Sequence, residues 1–140
     1  MEFSVSGLDE LMLSMKEIEE IPEDVVDEML NAQADVLIEA QKAEGKTMGV
    51  HRTGLTLSKI RKTKVKRTKG GGRAIYVYPH GSRKRGEKST RNAEIAFVNE
   101  FGKRGQQARP FIHTANERSA EKTTKAAFGI FDRWLKSKNL

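Results

Sequence analysis

Ile60-Arg61-Lys62-Thr63-Lys64-Val65-Lys66-Arg67-Thr68, then Lys69-Gly70-Gly71-Gly72, then Arg73-Ala74-Ile75-Tyr76-Val77-Tyr78 is the stretch that decides the fold. Its first nine residues are too basic for a core helix. They alternate too poorly for a half-buried strand, because Ile60 and Val65 fall on opposite faces. They read as a strand that leaves the core. The glycines tolerate positive φ and close a turn, after which β-branched and aromatic residues return as a second strand. The expectation is a long hairpin with a basic arm. Ile75 and Val77 share one face of the return strand and Tyr76 and Tyr78 the other. Both faces therefore need cover, one from helices and one from a neighbour. Pro79-His80-Gly81 ends the strand.

Working outward, the hairpin is flanked by helical periodicity. Ser6 is placed to cap a helix whose apolar positions Leu8, Leu11, Met12, Met15 and Ile18 recur at three and four residues, ending near Ile21 before Pro22. Pro22 suits the first turn of a second helix, with Glu23 and Asp24 at its positive end. Val25, Met29, Ala32, Val36 and Ala40 form its stripe, and Gly45 is its expected stop. Downstream, His80 to Arg91 is polar, basic and poor in apolar residues, and reads as a mobile loop. A short helix is expected over about 92–101 with Ile95, Val98 and Phe101 on its apolar side and Gly102 as its stop. Ala108-Arg109-Pro110-Phe111 is extended. A long terminal helix then runs to about Lys136 on a stripe of Ala120, Thr124, Ala127, Phe131 and Trp134, with Ile130 and Leu135 beside it. The class is α+β: a long β-hairpin or small antiparallel sheet packed by N-terminal helices and a long C-terminal helix. At 140 residues the chain suits one domain, 1–140, from which the arm 61–73 and the basic loop 80–91 project.

Charge is distributed unevenly. Residues 1–40 hold twelve carboxylates and only Lys16, whereas residues 41–140 hold 25 Lys/Arg and seven carboxylates, so a formal charge of +7 conceals parts at −11 and +18. Residues 51–86 contain twelve Lys/Arg and no acid. Such a strip invites a polyanion or an acidic protein surface as its partner. An arm that projects outward would not neutralise the acidic helices of its own chain.

Little else in the sequence points to chemistry. The absence of Cys removes thiol catalysis, cysteine-ligated zinc, iron–sulfur clusters and disulfides. No apolar stretch approaches the length that spans a bilayer, and nothing near Met1 reads as a secretory signal, so the expected setting is a reducing cytosol with no membrane partner. Gly81-Ser82-Arg83-Lys84-Arg85-Gly86-Glu87-Lys88-Ser89 resembles a phosphate-binding loop, but Glu87 stands where lysine should follow glycine. His51, His80 and His113 are scattered at separations of 29 and 33 and do not supply three converging ligands, and Ser58 and Ser89 lack a nucleophile setting. The reading is no enzyme, no cofactor and no metal. For the basic arm three readings stand: a solvated face, phosphate contact without sequence specificity, and docking to an acidic surface.

The order of short motifs adds to this. Thr53-Gly54-Leu55-Thr56-Leu57-Ser58-Lys59-Ile60 resembles the T-G-x-L-x-x-S-I stretch of a family of small minor tail proteins of long-tailed bacteriophages. Ala96-Phe97-Val98-Asn99-Glu100-Phe101-Gly102 is similar to that family's A-x-x-V-E-F-G element, and Ala108-Arg109-Pro110-Phe111-Ile112-His113-Thr114-Ala115 to its A-R-P-F-L-x-P-A element. All three follow the family's order over about residues 8–137. Two departures are visible: Gly45 to Arg52 lacks the usual closing proline, and Thr114 stands where proline is common.

The resemblance implies a structural virion protein of the neck or tail, acting in tail completion or head–tail joining. Such a protein would assemble in the host cytoplasm as a homo-oligomeric ring, such as a hexamer, against neck, tail-tube or connector proteins. Non-specific DNA contact in the channel also belongs to that picture. The residues expected to meet partners or sister subunits are Lys62, Lys64, Lys66, Arg67, Lys69, Arg73, Tyr76 and Tyr78 on the arm, Arg83, Lys84 and Arg85 on the loop, and Arg109 and Phe111. For Phe111, core packing with Arg109 as an ion-paired neighbour stands beside an interface anchor. The alternative from another class is a small basic nucleic-acid-binding protein.

Overall fold

A computed structural model describes residues 21–50 and 55–138. The expected helix from Ser6, the turn at Gly54 and His51 lie outside the described residues. The elements in order are α1 (Glu23–Thr47), the single turn α2 (Leu55–Ser58), β1 (Ile60–Lys62), β2 (Lys66–Arg67), β3 (Arg73–Ala74), β4 (Val77–Pro79), β5 (Ser82–Arg85), β6 (Lys88–Arg91), α3 (Asn92–Phe101) and α4 (Phe111–Ser137). The fold is α+β, with antiparallel strand pairs packed beside an antiparallel pair of long helices.

Glu23 and Asp24 occupy the first turn of α1 after Pro22, whose carbonyl accepts the Val25 and Val26 amides. The helix does not stop at Gly45. It ends two residues later, where the Val50 amide reaches back to the Gly45 carbonyl and the Gly49 amide to Lys46, with Gly49 at φ 80°. This is a Schellman closure, and Gly49 supplies its left-handed residue. Gly45 serves a different purpose: a Cβ there would sit 2.4 Å from a methyl of Leu57. It is small so that the α2 turn can lie against α1.

Helices α1 and α4 run antiparallel and bury two apolar clusters separated by a polar seam. One cluster joins Met29 to Ala127, Ile130, Phe131 and Trp134, with Ile21 and Val25 against it. The other, at the opposite end of the pair, joins Val50, Leu57, Ile60, Ala96 and Phe111. Between them Gln33, Gln41 and Ser119 are buried, and Gln41 Nε2 donates to Asn116 Oδ1 at 3.1 Å. Glu44–Arg118 and Glu28–Arg133 pairs flank the seam. The inner face of α4 is therefore Phe111, Ala115, Ser119, Ala127, Ile130, Phe131 and Trp134. Ala120, expected in the stripe, is exposed.

The long hairpin exists, in two paired pieces. Ile60 pairs with Pro79 and Lys62 with Val77, then Lys66 with Ala74 and Arg67 with Arg73. Three residues (63–65) face two (75–76), so the outgoing strand carries one extra residue and bulges. That bulge resolves the broken alternation of Ile60 and Val65: Ile60 faces the core, and the strand is turned before Val65 is reached. Thr63 closes the gap, its amide donating to the Tyr76 carbonyl and its Oγ1 accepting the Tyr76 amide. Residues 80–91 are not a loop. Strands β5 and β6 pair from Ser82–Arg91 to Arg85–Lys88 around a two-residue turn with Gly86 at φ 66°.

Phe111 is fully buried, which places it in the core rather than at an interface. Its replacement by Ala should cost about 3–5 kcal/mol, read as a lower thermal midpoint, with Arg109→Ala as a control of much smaller effect. A change below about 1 kcal/mol would remove Phe111 from the core.

Candidate interaction surface

The arm does not project away from the acidic helix of its own chain. It lies along α1, with its tip near the helix N-terminus. Arg73 grips Asp27 with two guanidinium nitrogens, Nε and Nη2, the latter at 2.7 Å, and its Nη1 lies 3.5 Å from Glu23. Arg67 pairs with Glu23 at 2.9 Å and Lys62 with Asp35 at 2.8 Å. The mutual repulsion of the arm's cations is thereby offset by carboxylates spaced along one face of α1. The hydrogen bonds from Arg73, against a smaller opposing effect of burial, hold the Asp27 carboxyl below the usual carboxylate range. The Arg73 guanidinium is correspondingly raised by Asp27.

Of the arm residues expected at a partner, Lys64, Lys66 and Lys69 stay exposed, whereas Lys62, Arg67 and Arg73 face their own helix. An open notch of about 350 Å³ lies between the bulge and α1, lined by Asp27, Asn31, Lys62, Thr63, Lys64 and Val65. Tyr76 and Tyr78 are exposed, Tyr78 stacking on the His80 ring at 4.1 Å. His80 Nε2 in turn donates to the Arg61 carbonyl, which fixes the ring against the hairpin. Arg83 is half-buried and Lys84 exposed on β5, and Arg85 ends that strand. The stretch that resembles a phosphate-binding loop is strand, turn and strand, so it does not lead into the helix N-terminus such a loop requires. Arg109 is exposed and donates to the Gly49 carbonyl at 3.2 Å instead of pairing with a carboxylate.

The α3 helix departs most from expectation. Its buried side chains are Asn92, Ala96 and Glu100, and Phe101 is 68% exposed rather than facing inward. Each buried polar group has a structural task. Asn92 Nδ2 donates to the His80 carbonyl and its amide to Gly81, tying α3 to the end of β4. Glu100 accepts the amides of Ile112 and His113, both at 2.9 Å. A carboxylate thus satisfies two otherwise unpaired donors at the start of α4, where the helix dipole favours negative charge. The Arg109 amide donates to the Asn99 carbonyl at 2.5 Å, and Gly102 at φ 78° lets the backbone of Gln106 and Ala108 pass within about 3 Å of where a Cβ would stand.

With its polar side turned in, α3 presents its aromatic side to solvent. Phe97 is 62% exposed and packs on Phe101 with ring centroids 4.8 Å apart. Sequence reasoning missed this pair because it assumed that the apolar side of α3 faces the core. The available signal was composition: Ala93, Ile95, Ala96, Phe97, Val98 and Phe101 are more apolar residues than one side of a ten-residue helix can bury. Beyond the pair, Lys103 and Arg104 are exposed. Among the described residues, no group of three or more His, Asp or Glu is arranged to hold a metal ion. None of the described helices is long and apolar enough to cross a membrane. No protein-family model, curated protein or solved structure matches this chain.

The arm clamp has a defined acid response. Asp27 is depressed in the folded chain, so its contribution is present above the ordinary carboxylate pKa of about 4 and is lost as pH falls below it. Protection of the amides across residues 62–78, relative to their intrinsic exchange rates, should fall as pH drops through the depressed Asp27 value, and at neutral pH in Asp27→Asn, while α1 and α4 stay protected. Unchanged exchange in the variant would show that the bulge and backbone pairing alone hold the arm.

Proposed function

We propose that this chain is a structural subunit of a phage neck or tail, acting in tail completion or head–tail joining, and that it self-associates through apolar surface to do so. The observation that carries the reading is the exposed Phe97–Phe101 pair. Two neighbouring phenylalanines more than 60% exposed on one helix, with ring centroids 4.8 Å apart, form the kind of patch that marks a protein contact. The resemblance to minor tail proteins supplies the setting. Its two C-terminal motifs are joined physically: Asn99 and Glu100 of the first hold Arg109, Ile112 and His113 of the second. Those motif residues therefore build a rigid platform for the aromatic pair.

The nucleic-acid alternative draws on the same basic strip, but three of its cations already face carboxylates of α1. The phosphate-binding surface that remains is smaller than the sequence suggests. Assembly through aromatic contacts, by contrast, is insensitive to those internal pairs.

Sedimentation of the purified chain should give one discrete oligomer, seen in projection as a closed ring with an opening wide enough for duplex DNA. The double variant Phe97→Gln/Phe101→Gln should run as a monomer with stability within about 0.5 kcal/mol of the parent, as for exposed positions generally. A monomeric parent chain with steeply salt-dependent affinity for DNA would replace this reading with the nucleic-acid one.

A further inference from the structure

We infer that the aromatic side of α3 is the docking site for residues 8–18 of a neighbouring copy of this chain. The inference rests on the self-association proposed above and names the segment that would mediate it. Residues 8–18 space Leu8, Leu11, Met12, Met15 and Ile18 at helical intervals, so in helical form they present one apolar stripe. A stripe containing two methionines suits a phenylalanine pair, because thioethers make favourable contacts at ring edges and adapt to irregular surfaces.

Charge agrees with this. Residues 8–20 hold five carboxylates, Asp9, Glu10, Glu17, Glu19 and Glu20, against Lys16 alone. Lys103 and Arg104, just past the end of α3, are exposed and have no ion-pair partner among the described residues. Phe128, the other phenylalanine exposed among the described residues, is a poorer acceptor. Lys125, three residues before it, is already paired with Glu121.

Reach makes the contact intermolecular. Ile21 lies in the cluster with Trp134, whereas α3 packs at the opposite end of the helix pair through Ala96, Phe111 and Val50. The separation is close to the length of α1, whose 25 residues span about 37 Å at 1.5 Å per residue. A helix over 8–18 covers about 16 Å, and the three steps from Ile18 to Ile21 add about 10 Å at most. In helical form the segment would fall short of α3 in its own chain. A donor at one end of the molecule and an acceptor at the other make a head-to-tail contact, the kind that closes rings by rotation.

The chain contains no cysteine, which permits a clean cross-linking test on the full-length protein. Met15→Cys chains mixed with Phe97→Cys chains and oxidised should give a disulfide-linked species of twice the chain mass. Leu11→Asp/Met15→Asp should be monomeric with an unchanged melting transition. Mixed with Phe97→Gln/Phe101→Gln, it should form a dimer and nothing larger, since one good donor and one good acceptor remain. An oligomer that survives Leu11→Asp/Met15→Asp, or that gives no 15–97 cross-link, overturns this inference and leaves self-association standing. An intrachain disulfide in Met15→Cys/Phe128→Cys, formed in place of the 15–97 link, overturns it in favour of a segment folded onto its own chain. A parent chain that is monomeric at every concentration overturns self-association as well.

Discussion

The carboxylate of Glu100, held by the amides of Ile112 and His113, is the contact on which the arrangement of the surface depends. A helix of ten residues with six apolar side chains has two possible inner faces. Hydrophobicity alone would bury Ile95, Val98 and Phe101. The start of α4, however, follows the extended Arg109-Pro110 and has two amides that need acceptors beside Phe111, the most buried residue of the core. Leaving both unsatisfied would cost about 1–3 kcal/mol each. Glu100 supplies both acceptors, Asn92 ties down the other end of α3, and Ala96 between them is small enough to let α3 approach Phe111. Phe97 and Phe101 are left outside as a geometric consequence.

A second set of polar contacts, also internal, settles the fate of the basic strip. Glu23, Asp27 and Asp35 recur along α1 at intervals of four and eight residues, so they lie on one helix face. Arg67 and Lys62 on the outgoing strand meet Glu23 and Asp35 in reverse order, as a strand antiparallel to α1 requires, and Arg73 on the return strand meets Asp27. The opposite charges of the two parts of the chain are therefore partly an intramolecular device that holds a strand pair with few apolar side chains against a helix. Arg61, Lys64, Lys66 and Lys69 remain exposed on the arm.

The elements with strong periodicity were legible in the sequence: α1 and α3 begin within a residue of where Pro22 and Asn92 place them, and α4 begins at Phe111, the last residue of the segment expected to be extended, rather than at about Ile112 or His113. The hairpin was legible from Gly70 to Gly72 and from Tyr76 and Val77. What escaped depended on contacts distant along the chain. Gly45 looked like a helix stop because nothing local distinguishes it from Gly49. Only Leu57, twelve residues on, shows that its role is close approach. The strands β5 and β6 were hidden by their composition, since a run of Arg, Lys and Ser has low strand propensity and is paired here through backbone hydrogen bonds around Gly86. The arm's docking on α1 needed the spacing of acids on one element to be compared with that of bases on another. The inward polar side of α3 needed a partner eleven to thirteen residues away.

If the account is right, the rings of Phe97 and Phe101 are exposed in the single subunit and covered in the assembly. Hydroxyl-radical footprinting of the full chain, read residue by residue by mass spectrometry across a dilution series, measures this directly. Both rings should oxidise rapidly at concentrations where the chain is monomeric and become protected as the oligomer forms, while Tyr78, held against His80, serves as an internal reference that changes less. Equal oxidation of Phe97 and Phe101 in monomer and oligomer would contradict the account, because the aromatic side of α3 would then play no part in holding the subunits together.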